Sequence, residues 1–217
     1  LLTDRKRTHH EKKNRCFVGI DTAKHPDSTV VTVIRDNKEL KKRELINWLE
    51  LRGENYKDQF DIIHDFLKRY DVQAIAIDST GQGDFMPDMF ERETHWFDES
   101  SGLYRVKFSA VSKDVMYKNL KVVIAELLTT LPELGTKEGV KFRQQMLDLQ
   151  QQFKGQLLSV AHPDDDNAHD DYPDSWALAE HAYALWTERN FADIHIIETD
   201  QNVRTNPQDD FFGEYWE

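Results

Sequence analysis

Three aspartates in separate stretches of the chain have the type and placement to act together. Asp21 closes the apolar run Cys16-Phe-Val-Gly-Ile-Asp21, and Asp78 closes Ala74-Ile-Ala-Ile-Asp78. Asp174 lies within His169-Asp-Asp-Tyr-Pro-Asp174-Ser-Trp-Ala-Leu-Ala179. The first two stand where a buried strand runs out, and the third opens a helix. An unpaired charge beside an apolar core is costly, and three converging carboxylates cannot all ionise unless a cation joins them. A divalent metal resolves that conflict. Hard cations such as Mg²⁺ and Mn²⁺ take oxygen ligands and keep several waters. Two such ions about 4 Å apart can activate water and stabilise a leaving oxygen, which points to metal-assisted hydrolysis of a phosphodiester. Asp21 would bridge the two ions, with Asp78 and Asp174 binding one each or sharing.

Each acid also has a plainer reading. Asp21-Thr22 is good turn chemistry, and a Gly-containing turn after Asp78 is usual in α/β folds. Yet ligand sites in such sheets lie at the carboxyl ends of strands, where both residues fall. Asp171-Tyr-Pro-Asp174 reads as a helix start, with Asp171 as N-cap, Pro173 near the first turn and acids complementing the helix dipole. That accounts for one or two acids, whereas Asp164-Asp-Asp-Asn-Ala-His-Asp-Asp171 and Asp174 place six within eleven residues. Asp171 and Asp174 share a helix face, so either is the third ligand, with Asp174 preferred. His169 is an ordering group for water or substrate, or a plain loop histidine. Lys113 is a phosphate contact, or simply an exposed lysine at a helix start. A zinc site is excluded by one cysteine and scattered histidines without ligand spacing, and no Gly-x-x-x-x-Gly-Lys-Ser/Thr loop is present.

The elements that must position these residues follow from periodicity. Residues 16–21, 28–34 and 44–51 read as three strands of an antiparallel meander. Apolar residues at Tyr56, Phe60, Ile63, Leu67 and Tyr70 have helical spacing. Residues 72–77 form a fully apolar strand, as expected when both faces are covered. A helix near 85–92, a strand over 104–108, helices over 115–128 and 140–153 and a strand over 156–160 come next. A helix over 173–186 and a short strand over 193–197 complete the order. Trp176, Tyr183 and Trp186 recur at helical spacing as core or partner-facing residues. The fold class is therefore α/β, with an antiparallel meander joined to parallel strands and flanked by helices.

The chain of 217 residues carries a net charge of −12 and a mean hydropathy of −0.72. It reads as one polar, soluble domain with appendages. No apolar run approaches a membrane span, and the lone Cys16 forms no internal disulfide. The acidic balance argues against a simple nucleic-acid coat, while leaving room for a nuclease with an acidic pocket and local basic patches. Residues 1–15 form a basic linker, residues 16–197 the domain, and residues 198–217 a polar tail. The tail ends in Phe211-Phe-Gly-Glu-Tyr-Trp216, an aromatic group suited to docking. The absence of an initial Met suggests a piece of something longer.

Taken together, Phe17-Val-Gly-Ile-Asp21, Ile75-Ala-Ile-Asp78-Ser-Thr-Gly81 and His169 to Ala179 resemble the C-terminal nuclease domain of the large terminase subunit of tailed bacteriophages. The resemblance extends to Val111-Ser-Lys-Asp-Val-Met-Tyr-Lys-Asn-Leu-Lys121 and to residues 142–162. It implies a ribonuclease H-like fold and an endonuclease that cuts concatemeric double-stranded viral DNA during packaging. It implies Mg²⁺ or Mn²⁺ as two bound ions, with metal-binding aspartates at Asp21, Asp78 and Asp174 and Asp171 as auxiliary ligand. The partners implied are double-stranded DNA, an N-terminal packaging ATPase domain of the same polypeptide, a portal and a small terminase subunit, in the host cytoplasm and without a membrane. Ser175-Trp176 departs from the family, where small residues are commoner. The alternatives are a Holliday-junction resolvase or other ribonuclease H-like nuclease, and a non-catalytic acidic docking module.

Overall fold

The β-branched runs near the start of the chain set the frame. In the computed structural model, which describes residues 15–23, 28–80, 85–93, 102–163 and 169–203 with side chains to residue 189, they form β1 (Arg15–Asp21), β2 (Thr29–Asn37) and β3 (Lys42–Leu51). These pair antiparallel as the expected meander. Helix α1 (Tyr56–Leu67) is capped by Asn55, whose side chain accepts from the backbone N–H of Lys57 and Asp58. It returns the chain to β4 (Asp71–Asp78), which lies parallel to β1. Helix α2 (Phe85–Glu93) leads to β5 (Gly102–Val106), parallel to β4.

Next come α3 (Ala110–Ala125), the two-residue β6 (Thr129–Thr130) beside β3, α4 (Lys137–Asp148), the antiparallel pair β7 (Gln150–Lys154) and β8 (Leu157–Ala161), and α5 (Asp171–Val203). Among the described residues the main sheet has the order β5-β4-β1-β2-β3-β6, and β7-β8 stand apart as a hairpin. This is the mixed, helix-flanked α/β sheet expected from the sequence.

Strand alternation divides the core in two. Val18, Ile20, Ile75 and Ile77 point to the face covered by α1 and α2. Phe17, Ala74 and Ala76 point to the opposite face, where Trp176, Ala177, Leu178, Ala179 and Ala182 of α5 pack. Gly19 shares that second face, and it permits an unusually close approach. A Cβ there would lie 1.9 Å from the carbonyl oxygen of Ser175 and 2.4 Å from the amide nitrogen of Ala179. The helix backbone thus sits directly on β1. Thr32 Oγ1 and Ser175 Oγ, 2.7 Å apart and buried, tie the same turn of α5 to β2.

The boundaries depart from the sequence reading in several places: the strand expected over 104–108 lies at Gly102–Val106, the short β6 was not expected, and four further departures have a visible local cause. Helix α3 begins at Ala110 rather than 115, because Ser109 and Ser112 form a reciprocal capping box. Helix α4 occupies 137–148 rather than 140–153: Thr136 caps its start, Leu149 leaves helical geometry at ψ 128°, and residues 150–154 are a strand. The short strand expected over 193–197 lies inside α5, since no Gly or Pro interrupts residues 175–203. Asp171 is the first residue of α5 rather than its cap, because the Asp174 N–H donates to the carbonyl of Asp170 at 2.8 Å. The linker residues 1–14 and the aromatic tail 204–217 lie outside the described residues.

Gly19→Val should separate β1 from α5. A loss of about 3 kcal/mol in folding free energy is expected, read as a lower urea midpoint. Unchanged stability would show that α5 does not depend on this contact.

Candidate active site

Alternation along two neighbouring parallel strands brings Asp21 and Asp78 to one place. Ile20 pairs with Ile77 in the β1–β4 register, so the next residues of both strands end the sheet side by side. Both acids follow the parity of Phe17, Gly19, Ala74 and Ala76, and therefore face α5. Two residues of strand advance about 6.7 Å, and one helical turn advances about 5.4 Å. With Ser175–Ala179 seated on Gly19, the first turn of α5 falls over the carboxyl ends of the strands. Asp174 is in that turn. All three acids are buried, with 9%, 7% and 3% exposure for Asp21, Asp78 and Asp174.

Their partners differ. Asp78 Oδ1 accepts from the Thr80 N–H at 2.9 Å and from the Thr80 hydroxyl at 2.5 Å. Thr80 Oγ1 in turn accepts from the Phe108 N–H at 2.6 Å, and the Ser79 N–H donates to the Val106 carbonyl. The turn after β4 is therefore braced against the end of β5. The Thr22 hydroxyl donates to the Asp78 carbonyl at 2.8 Å, linking the ends of β1 and β4. Asp174 is held by α3: Lys113 Nζ donates to its Oδ2 at 2.6 Å and the Tyr117 hydroxyl to its Oδ1 at 2.5 Å. Asp21 receives no hydrogen bond from the described residues.

The first turn of α5 is fastened from a third side. The Tyr172 N–H donates to Gln145 Oε1 of α4 at 2.9 Å, and the buried Tyr172 ring packs against Trp48. Lys141 of α4 contacts both oxygens of Glu50 at the end of β3, at 2.6 and 2.5 Å. Burial alone would raise the Glu50 carboxyl. Lys141, Ser28 and Arg52 overcome that and hold it below its ordinary value.

The electrostatics express the conflict among the acids. Burial, then Asp174, Asp171 and Asp78 in turn, push the Asp21 carboxyl well above its usual range, against a lowering by Lys113. Asp174 is pushed up to about 6, chiefly by burial, although Lys113 opposes the shift. Burial would lower the Lys113 amine, but Asp174 and Asp170 outweigh it and keep the pKa raised. Burial and then the Asp174 charge keep Tyr117 protonated as a donor.

Among the described residues no three His, Cys, Asp or Glu side chains surround one common point as ligands. The side-chain contacts supply the reason: both Asp174 oxygens are turned to α3, and one Asp78 oxygen is engaged by Thr80. The donor set is nonetheless that of a hard divalent cation, namely buried carboxylate oxygens. Lys113 supplies the positive charge that partly balances them.

The sequence-predicted residues Asp21, Asp78, Asp174 and Lys113 meet here. Asp171 lies in the same helical turn and is close enough to raise Asp21. His169 is half-buried in the segment entering α5, and acids 164–166 lie outside the described residues. Lys113 is three-quarters buried on its side chain rather than an exposed helix-start lysine. Sequence reasoning missed Tyr117, Asp170 and Thr80. Lys113 and Tyr117 stand at i and i+4, so placing the start of α3 at its Ser109 cap would have put both on one face.

A meander followed by a parallel acid-ending strand, with a further acid on a late helix, is the ribonuclease H-like architecture. The chain matches the family model for the terminase RNase H-like domain over residues 18–182, and it belongs to that family. Its fold is similar to the large terminase nuclease of thermophilic phage G20c with bound magnesium (16% identity, 77% of this chain and 81% of that chain, TM-score 0.60). It is also similar to the Thermus phage P74-26 large terminase nuclease domain (15% identity, 77% and 79% coverage, TM-score 0.58). The large terminase nuclease domain of bacteriophage SPP1 with bound manganese shares 14% identity over 76% of this chain and 84% of that chain, with a TM-score of 0.51. At these identities the likeness is one of fold. No curated protein sequence matches the chain. Family membership supports a nuclease role in phage DNA packaging.

The raised acids set the pH dependence without metal. Asp21 and Asp174 bind protons more readily in the folded chain than in the unfolded one, so stability falls as pH rises from the ordinary carboxylate range. For Asp174 the fall runs to about pH 6, with a size on the order of 3 kcal/mol. Urea titrations in EDTA should show wild type losing stability across this window. Asp21→Asn should match it near pH 4 and exceed it at pH 7. A wild-type profile that rises through the window contradicts the assignment.

Proposed function

We propose that this chain is the nuclease domain of a phage large terminase, hydrolysing phosphodiesters of double-stranded DNA with two divalent cations, Mg²⁺ or Mn²⁺. The observation that carries the reading is the placement of Asp21, Asp78 and Asp174 at one end of the sheet, buried and short of positive charge. The solved relatives with magnesium and manganese bound support the choice of metal.

Asp21, Asp78 and Asp174 would hold the cations, with Asp171 as auxiliary ligand. The bound cations supply an activated water and neutralise charge on the phosphate under attack. Thr80 orients Asp78 through two hydrogen bonds. Lys113 and Tyr117 orient Asp174, and the Lys113 ammonium balances part of its charge. With the acids neutralised by bound cations, the Lys113 amine would be available to a DNA phosphate. His169, two residues before Asp171, would order water or substrate. The cleaved molecule is concatemeric viral DNA in the host cytoplasm. The packaging ATPase domain of the same polypeptide, the portal and the small subunit are the partners.

Plasmid cleavage in Mg²⁺ or Mn²⁺ tests the reading, and EDTA should abolish it. Asp21→Asn and Asp78→Asn should each lower the rate by about 100-fold or more, the worth of several kcal/mol of charge stabilisation, while circular dichroism shows the fold retained. Full activity in either variant, or cleavage that persists in EDTA, would reject the mechanism. Complete inactivity of the wild type with either metal would favour a docking role.

A further inference from the structure

The charges of this acidic chain are segregated. Between residues 107 and 121 stand Lys107, Lys113, Lys118 and Lys121 against the single acid Asp114. That acid is already engaged: its Oδ1 accepts from the Leu158 N–H at 2.6 Å, and its Oδ2 pairs with Lys118 at 2.9 Å. Lys113 is committed to Asp174. Lys121 reaches only a neutral group, donating to Gln151 Oε1 at 2.9 Å, and Lys107 is exposed. The hairpin β7–β8 contains no acid from Gln150 to Ala161 and carries Lys154. Every residue of β7 is exposed, including Phe153 at 68%.

Asp114 and Lys121 fasten this hairpin to α3. Between them runs a cleft of about 320 Å³, walled by Phe108, Ser109 and Lys113 on one side and Leu158, Ser159 and Val160 on the other. Lys113, which lines this cleft, is also the residue that meets Asp174.

We propose that α3 and the β7–β8 hairpin form the surface that grips duplex DNA. This rests on the nuclease reading given above and names the part of the molecule that binds the substrate. Lys107, Lys121 and Lys154 contact phosphates, the source of most sequence-independent affinity. The hairpin is a two-stranded ribbon of the kind that the major groove admits. It presents Phe153 and a row of glutamines without a repelling charge. Through such a local basic surface a chain with net charge −12 can still orient a duplex toward its acidic pocket.

Fluorescence anisotropy with a duplex of about 25 base pairs, titrated with salt in the non-cleaving Asp21→Asn background, tests the surface. Lys107→Ala, Lys121→Ala and Lys154→Ala should each weaken binding several-fold and reduce the slope of log K against log salt by about one. Phe153→Ala should weaken binding without altering the slope. Lys57→Ala on α1 and Lys68→Ala at its C-cap, across the sheet, should change neither. In the cleaving protein the three lysine variants should raise KM for plasmid and leave kcat unchanged. If the wild type cleaves while these variants keep its affinity and slope, DNA binds elsewhere and the proposal is overturned although the nuclease reading stands. A fall in kcat at constant KM overturns it as well, by moving the lysines into the chemistry. A wild type that neither binds nor cuts DNA removes both.

Discussion

The close seating of α5 on β1 governs the rest of this molecule. Gly19 leaves no side chain between strand and helix, and a Cβ there would collide with the backbone of Ser175 and Ala179. Ala74 and Ala76 on the neighbouring strand, and Ala179 and Ala182 on the helix, keep that interface small. Farther along, larger groups widen it: Phe17 meets Tyr183 and Trp186 edge to face at 5.0 and 5.4 Å. The first turn of α5 thereby sits above the strand ends at the depth where Asp174 can share space with Asp21 and Asp78. A bulkier residue at position 19 would disturb the fold and the acid cluster together, because one contact sets both.

That placement has an electrostatic cost, visible in the contrast between two buried acids. Glu180 is fully buried on α5 and has Arg43 at 2.5 Å, with the guanidinium also lying over the Tyr183 ring. Asp21 is buried to a similar degree yet receives no donor from the described residues. Glu180 is thus half-satisfied, with one oxygen held by Arg43 and Oε1 left without a hydrogen-bond partner, whereas the Asp21 carboxylate has no donor from the described residues at all. A purely structural role would be better served by the first arrangement, since unpartnered buried charge destabilises. Strain of this kind is expected where stability yields to function. Lys113 relieves part of it through Asp174, which explains why a lysine is buried so near the acids.

The frame and the acids were legible in the sequence because both depend on local pattern. Apolar and β-branched runs located β1, β2, β3 and β4, and the acids closing β1 and β4 fell at the carboxyl ends of strands. The Asp171-Tyr-Pro-Asp174 start located α5. The partners of the acids were not legible, because they come from distant segments: Lys113 and Tyr117 reach Asp174 across 61 and 57 residues. No periodicity announces such a pair. Local ambiguity hid the α4–β7 boundary, where Gln150-Gln-Gln-Phe-Lys154 suits a helix as well as a strand and only pairing with β8 decides. The Ile-rich stretch near 196 looked like a strand for the opposite reason, since its helical state continues from upstream. Trp176, larger than the family pattern led one to expect, finds space against Phe142 at 5.5 Å and is almost wholly buried.

Position along α3 joins the acid pocket to the outer surface. Its buried face sends Lys113 and Tyr117 to Asp174 and Leu120 into the core, while its outer face and the adjoining hairpin carry lysines facing solvent. The Ser109–Ser112 capping box fixes where the helix starts, and hence which residues fall on which face. A shift of one residue would rotate the helix by about 100°, withdrawing Lys113 from Asp174 and turning Lys121 away from Gln151. The cap therefore coordinates two opposite electrostatic tasks, balancing buried negative charge and presenting exposed positive charge, within one helix. Net charge alone conceals this, because an acidic total describes neither the face that would meet a phosphate backbone nor the pocket that would hold its counter-cations.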